Sequence, residues 1–226
     1  MKTRHFIFLG LLLSSLAIAK DDDNLTKKVE DKMEEVSPNE DLMREHGILN
    51  RILLIYEEII RRIETRQPFP IESLKQSAEI IRNFIENYHE KLEEDYVFPK
   101  FEKAKKMLDL VKTLREQHQQ GRILTDYILA HANEADLKSN SQQLKNALQQ
   151  FITMYRPHEA REDTVLFPEF KNLISEKEYE ALGELFEEKE NVLFGEDGFK
   201  NTVDDVAGIE KELGIYNLSQ FTPKRK

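Results

Sequence analysis

The chain of 226 residues contains no cysteine and no tryptophan. Without thiols it cannot build a disulfide framework, a thiolate zinc site or a cysteine-ligated iron–sulfur cluster, so any metal must be held by nitrogen and oxygen. Basic residues are outnumbered: 33 Lys and Arg against 43 Asp and Glu give a net charge of −10. Because phosphate binding needs clustered basic side chains, and no basic stripe with interleaved aromatics is present, we expect no nucleic-acid partner.

The sequence also has no long hydrophobic run, and the apolar stretch near the N-terminus is short. The apolar stretch from Phe6 to Leu13 falls short of the ~20 residues that a membrane-spanning helix needs. It follows Lys2 and Arg4 and precedes the small residues at 17–19, an arrangement typical of a secretory signal peptide. We therefore expect residues 1–19 to be removed and the protein to be exported, periplasmic or secreted, with no membrane attachment afterwards. An uncleaved anchor or a buried terminal helix is the alternative.

Residues 20–36 are charged and lack a sustained apolar stripe, which predicts a polar leader. From residue 37 to 174, apolar residues recur at alternating steps of three and four in four stretches, the spacing of helices buried along one face. Breaks are expected at 67–70, 100–106 and 133–141. The sequence thus predicts an all-α fold, an up-down-up-down four-helix bundle.

Residues 175–226 have a weaker periodicity. Helices from Glu176 to about Val192 and from near Val203 to Leu213 are expected, separated by the glycine-containing segment 195–198. We interpret them, with the terminal residues, as a C-terminal helical extension and tail that covers the open end of the bundle.

Each of the four predicted helices carries one histidine on its apolar stripe: His46, His89, His118 and His158. The first two lie at similar distances before and after the first predicted turn, and the other two flank the third turn in the same way. At ~1.5 Å of rise per residue, all four rings are expected in one layer of the bundle.

The sequence repeats itself around two of these histidines. Residues 89–99 match residues 158–168, with Glu93 and Glu162 four positions after the histidine and a Phe-Pro pair at the end. Residues four apart share a helix face, so imidazoles and carboxylates are expected to converge inside the bundle. Burying them without a cation would be costly, which indicates a metal site with nitrogen and oxygen ligands. The alternative is a hydrogen-bonded polar layer without metal, partly compensated by Arg122.

These residues resemble the hemerythrin HHE cation-binding family over about residues 40–172. The resemblance implies a centre of two iron ions, with manganese or zinc as alternatives. It also implies that Glu93 bridges the two ions together with Glu162 or Asp163, of which we prefer Glu162 because it lies on the helix stripe. The terminal histidines would be divided between the ions, His46 with His89 and His118 with His158.

The resemblance has one departure, since oxygen-carrying members have a histidine where this chain has Arg122. That loss puts reversible oxygen carriage in doubt and leaves room for another ligand, such as Glu90, Glu159, water or substrate. The charge of Arg122 is expected near Glu162, Asp163 or Glu159. Tyr155, one turn before His158, would pack in the core or donate a hydrogen bond at the site.

The resemblance implies a small diatomic or peroxide ligand: dioxygen, nitric oxide or peroxide. Two alternatives stay open, an enzyme that turns over peroxide or oxidises ferrous iron, and a metal-binding or sensing module without turnover. The sequence leaves the oligomeric state undetermined.

Overall fold

A computed structural model describes residues 36–223 of the chain. The predicted signal peptide at 1–19 and the polar leader up to residue 35 lie outside the described residues, as do residues 224–226. Within the described range every regular element is a helix, so the all-α prediction is confirmed. None of the helices in this range combines the length and the apolar composition that crossing a bilayer requires.

The first helix, α1, spans Pro38–Thr65 and begins as the sequence predicts. The side chain of Ser37 accepts a hydrogen bond from the backbone N–H of Glu40 at 3.3 Å, and proline occupies the first turn, where its missing N–H costs nothing. Arg66 then adopts a left-handed conformation with φ of 55°, which ends the helix before Pro68.

The second helical segment, α2, spans residues 71–104 and alternates between two helix types. Its α-helical pieces are Ile71–Ile80, Glu90–Leu92 and Phe98–Ala104, and its π-helical pieces are Ile81–His89 and Glu93–Val97. The predicted turn at 100–106 is wrong in its first half, because the helix continues to Ala104. Pro99 lies in the first turn of the last piece, where proline is tolerated. The chain reverses at Lys105 and Met107, which have φ of 56° and 49°.

Helix α3 spans Leu108–His131 and is followed by the short α4, Glu134–Ser139. The predicted turn at 133–141 therefore contains a helix, which is capped by Asn133 through a 3.0 Å hydrogen bond from the backbone N–H of Asp136. Helix α5 spans residues 141–173 and comprises Ser141–Arg161, the π-helical Glu162–Leu166, and Phe167–Leu173.

The four long helices pack in a ring. Helix α1 contacts α2 and α5, and α3 contacts the same two helices. Fully buried apolar side chains from all four fill the space between them, among them Ile52, Tyr56, Ile85, Leu114 and Phe151. The histidines lie inside this ring, so the apolar core on either side keeps water from them.

The last two helices, α6 (Glu176–Phe194) and α7 (Gly198–Glu212), are followed by a 3-10 turn at Leu218–Phe221. They lie along the side of α1. The hydroxyl of Tyr179 reaches Ser37 at one end of α1, and Arg62 at the other end donates to the carbonyl of Leu213 at 2.6 Å. The prediction that they cover the open end of the bundle is wrong. Helix α1 buries more than one stripe, and its second apolar face requires this lateral cover.

Candidate metal centre

The four histidines meet in the middle of the ring and are 1 to 4% exposed or fully buried. They form two pairs that face each other through their Nε2 atoms. The Nε2 atoms of His46 and His89 lie 3.1 Å apart, and those of His118 and His158 lie 3.3 Å apart. The structure thus brings together the four residues that the sequence places on one layer.

Each histidine turns its other ring nitrogen, Nδ1, toward an acceptor on a neighbouring helix. The pairs and distances are His46–Asp163 at 2.7 Å, His89–Glu45 at 2.6 Å, His118–Glu94 at 3.1 Å and His158–Gln117 at 2.9 Å. A neutral imidazole that donates from Nδ1 keeps a lone pair on Nε2. All four Nε2 atoms point to the centre, and metal-binding histidines usually have this orientation.

Glu93 and Glu162 lie between the two histidine pairs, and both are fully buried. Each places its Oε2 atom within reach of one imidazole from either pair. The distances are 3.7 Å from Glu93 to His89 and 3.4 Å to His118, and 3.5 Å from Glu162 to His46 and 3.0 Å to His158. Two candidate ligand sets share Glu93: one adds His46 and His89, and the other adds Glu162, His118 and His158.

Burial and neighbouring charges shift the pKa values of this cluster in both directions. Burial, together with the charge of Glu162, raises the pKa of Glu93 well above its usual range. Burial would also raise the pKa of Glu162, but His158 and His46 outweigh it and hold that pKa well below its usual range. Burial and the neighbouring His46 lower the pKa of His89, and burial lowers the pKa of His118 to about 4.

His46 is the exception among these imidazoles. Burial acts to lower its pKa, but the hydrogen bond to Asp163 and the nearby carboxylate of Glu162 raise it to about 10. The positive charge of a protonated His46 then lies between the carboxylates of Asp163 and Glu162. A metal cation bound in the cluster would supply positive charge in its place.

The carboxylate oxygens provide a test of whether metal ions fit. Neither oxygen of Glu93 and neither oxygen of Glu162 has a hydrogen-bond partner among the described residues. A buried polar group left unpaired costs roughly 1–3 kcal/mol, and more when it is charged. Two carboxylates with unpartnered oxygens, beside four imidazoles that turn Nε2 inward, are a nitrogen and oxygen donor set that suits first-row divalent ions. The cluster could therefore hold metal.

The repeated sequence produces a two-fold relation within the site. Phe98 stacks on His118 and Phe167 stacks on His46, with ring centroids 5.5 Å and 5.6 Å apart. A π-helical piece begins at each bridging carboxylate, Glu93–Val97 in α2 and Glu162–Leu166 in α5. Such π turns are rare and occur often at functional sites. The repeated motif therefore gives each half of the site its carboxylate, its outer acceptor and its aromatic neighbour.

The residues considered as alternative ligands lie behind the histidines. Asp163 accepts from Nδ1 of His46, on the side of the ring away from the centre, whereas Glu162 faces the Nε2 atoms. Glu159 accepts a hydrogen bond from Asn50, and burial raises its pKa to about 8. Glu90 follows His89 as Glu159 follows His158, so Glu90 occupies the corresponding position in the repeated motif.

Arg122 lies beside Glu90 and Glu94. Its Nη2 is 2.7 Å from Oε2 of Glu90, and its Nη1 donates to Oε1 of Glu94 at 2.8 Å. The prediction that its charge falls near Glu162, Asp163 or Glu159 is wrong, because Arg122 belongs to the half of the site formed by α2 and α3. The three ligand-type residues Glu90, Glu94 and His118 also cluster there, and the guanidinium pairs with both carboxylates.

Tyr155 completes the surroundings of Glu90. Its hydroxyl donates to Oε1 of Glu90 at 2.6 Å, and burial raises the pKa of this carboxyl to about 8 despite the charge of Arg122. The hydroxyl passes over Gly121, where a Cβ atom would lie 1.9 Å from it. Gly121 thus gives the tyrosine its path to the carboxyl.

Sequence reasoning missed four contributors to the site: Glu45, Asn50, Glu94 and Gln117. Two features of the sequence indicate three of these residues. Glu45 and Gln117 each precede a stripe histidine, and Asn50 follows His46 by four residues, as Arg122 follows His118. Comparing the surroundings of the four histidines with one another would have suggested these positions.

Comparison with known proteins agrees with this geometry. A family model described as the hemerythrin HHE cation-binding domain matches residues 37–170 and again residues 109–213. Uncharacterized proteins from Mycobacterium bovis and from two strains of Mycobacterium tuberculosis are 53% identical over 192 residues, which cover 83% of this chain and 74% of each relative. No solved structure matches significantly.

Proposed function

Because the chain belongs to the hemerythrin HHE cation-binding family, we propose that its buried centre holds two iron ions and binds a small ligand. His46 and His89 would hold one ion, His118 and His158 the other, and Glu93 and Glu162 would bridge them. The observation that carries this proposal is the inward direction of all four Nε2 atoms around four unpartnered carboxylate oxygens. An up-down-up-down order of the four long helices belongs to the same proposal.

Iron held by these residues would supply redox chemistry and a position at which dioxygen, nitric oxide or peroxide could bind. The protein supplies the surroundings. Phe98 and Phe167 stack on two of the imidazoles and exclude water from one side of the centre. The outer acceptors Asp163, Glu45, Glu94 and Gln117 hold each Nδ1 proton in place, which fixes the orientation of the rings.

One observation favours a second candidate, an oxidase or peroxidase acting at the same centre. The carboxyl of Glu90, with a pKa of about 8, retains its proton at neutral pH and accepts a hydrogen bond from Tyr155. A buried carboxyl that holds a proton near the centre can deliver it to a bound ligand. Arg122 fixes this group in place and occupies the position of the additional histidine of oxygen carriers.

The experiment compares small ligands on the iron-loaded, reduced protein by stopped-flow absorption. A reversible spectral change with dioxygen or nitric oxide supports ligand binding, and repeated consumption of peroxide supports turnover. Glu90→Gln keeps the hydrogen bond of Tyr155 but loses the titratable proton, so it should slow turnover and leave ligand binding intact. No spectral response to any of the three ligands would contradict the proposal.

Export is proposed on the N-terminal sequence alone. Residues 1–19 combine basic residues, an apolar run and a small-residue site, so the mature chain would begin at Lys20. Intact-mass measurement on the protein from its native host tests this. A cytosolic chain that still carries residues 1–19 would contradict it.

A further inference from the structure

A second group of carboxylates lies on the outer side of His89, between α1 and α6. One oxygen each from Asp41, Glu45 and Glu190 lie within 4.8 Å of one another. These residues are separate from the inner ligand sets, and the family resemblance assigns nothing to them. Glu45 connects the two places, because its Oε2 accepts the hydrogen bond from Nδ1 of His89 at 2.6 Å.

The second carboxylate oxygen of Glu45, Oε1, indicates that a ligand is missing at this place. Glu45 is fully buried, and its Oε1 has no hydrogen-bond partner within residues 36–223. Burial and the charge of Asp41 raise the pKa of this carboxyl well above its usual range. Tyr88 acts in the opposite direction, and its hydroxyl donates to the carbonyl of Phe186 at 3.4 Å. A buried carboxylate oxygen without a donor is rare in folded proteins and points to a missing cation or water.

The surroundings of the group are strongly negative. Asp41 is 8% exposed, and burial together with the charge of Glu190 raises its pKa to about 6. Glu187 and Glu40 add further negative charge. The basic group that acts on Asp41 is Arg44, whose Nη1 is 3.8 Å from Oδ1 while its guanidinium lies over the ring of Phe199. The backbone N–H of Phe199 also donates to Oε1 of Glu190 at 2.6 Å. One arginine and one backbone N–H do not neutralise three adjacent carboxylates.

The two-fold relation of the inner site supplies an internal comparison. Asp41 and Glu45 lie five residues and one residue before His46, and the equivalent positions before His118 are Thr113 and Gln117. Neither equivalent residue carries a charge. The positions before His118 therefore have no counterpart of the outer carboxylates, so the packing of the histidines does not require these carboxylates.

We propose that Asp41, Glu45 and Glu190 form a third metal site that binds a hard divalent cation such as Mn²⁺, Ca²⁺ or Mg²⁺. Three carboxylates without an imidazole are the ligands of such ions, and water completes their coordination. Asp41 and Glu190 are partly exposed and open the site to solvent, while Glu45 forms its floor. The outer cation would bind Glu45, which is also the hydrogen-bond partner of His89. Binding of this cation is therefore coupled to the inner centre. Only this coupling rests on the proposed function.

Mn²⁺ is the probe for the test, added to the protein as isolated with its inner metals in place. Free Mn²⁺ is counted by electron paramagnetic resonance during a titration up to about 1 mM, the upper limit for weak oxygen-ligand sites. We expect one Mn²⁺ per chain beyond the inner complement. Asp41→Asn and Glu190→Gln should each raise the dissociation constant at least about tenfold, because affinity follows the ligand charge.

The control is Glu184→Gln, which removes an exposed carboxylate from the same helix and should leave the titration unchanged. Absence of additional Mn²⁺ in the wild type, or wild-type binding in both variants, would overturn the proposal. Melting curves verify that the variants are folded, and elemental analysis of the same samples counts the inner metals. A wild type without inner metals whose Mn²⁺ binding is weakened by Asp41→Asn and Glu190→Gln would contradict the proposed function and leave this inference standing.

Discussion

Glu45 and Gln117 occupy equivalent places in the two halves of the site, one a carboxylate and the other a neutral amide. Each directly precedes a site histidine, and each accepts a hydrogen bond from Nδ1 of a histidine on a neighbouring helix, His89 at 2.6 Å and His158 at 2.9 Å. A carboxylate acceptor makes an imidazole a stronger ligand than an amide does. The two histidine pairs are therefore unequal in their outer hydrogen-bond acceptors, although their histidines and carboxylates correspond.

Exchanging these acceptors should shift the metal affinities in opposite directions. Glu45→Gln should weaken binding at the position formed by His46 and His89, and Gln117→Glu should strengthen the other. Changes in such outer partners alter metal affinity by about 10–100-fold. The two stepwise constants are measured by Co²⁺ or Zn²⁺ titration against a chromophoric chelator. If both exchanges leave the two constants unchanged, the outer acceptors do not tune the site.

Gly121 should tolerate no side chain. The Cβ atom of Gly121→Ala would lie 1.9 Å from the hydroxyl of Tyr155, so the tyrosine must move away from Glu90. Overpacking of this kind costs about 1–3 kcal/mol of unfolding free energy. Gly208→Ala is the matched control, since nothing lies within 4 Å of its Cβ position and alanine in a helix gains about 0.5–1 kcal/mol. Urea unfolding compares them, and equal stabilities would refute the close approach.

Arg122 should contribute to stability through Glu90. Removing the guanidinium in Arg122→Ala leaves this buried carboxyl with Tyr155 as its donor and should cost about 1–3 kcal/mol. Arg122→Lys keeps the charge but cannot reach two carboxylates in the same geometry, so we expect a partial loss. The exposed pair of Arg156 and Glu57 provides the control, because Arg156→Ala should change stability by less than about 1 kcal/mol. Thermal unfolding that ranks Arg156→Ala as the more damaging change would contradict this account.

Much of the helical framework follows from the sequence. The cap at Ser37, the break before Pro68 and the start of α6 at Glu176 rest on local patterns that the structure reproduces. The convergence of the histidines could also be predicted, because it depends on helix periodicity and on the spacing of the turns. These features involve residues close in the sequence or repeated along one helix face.

The remaining features depend on contacts between distant residues. The partner of Arg122 could not be deduced, because the π-helical Ile81–His89 and Glu93–Val97 alter the phase of α2 and turn Glu90 and Glu94 toward α3. The lateral position of α6 and α7 depends on the second apolar face of α1. In the sequence of α1 alone, this second face appears only as a wider apolar stripe, and the pattern does not show which helices cover it. Hydrogen bonds such as Glu45 to His89 join residues 44 apart in the sequence and appear only after folding.

Metal content tests the central claim most directly. Elemental analysis of the purified protein should find two ions per chain in the inner centre, and His89→Ala and His158→Ala should each lower that number because each removes one ligand from a different position. Chelation should also lower the melting temperature, since the buried carboxylates lose the cations that neutralise them. A wild-type protein that binds no metal after reconstitution with iron, or two folded variants that keep the full complement, would contradict the account.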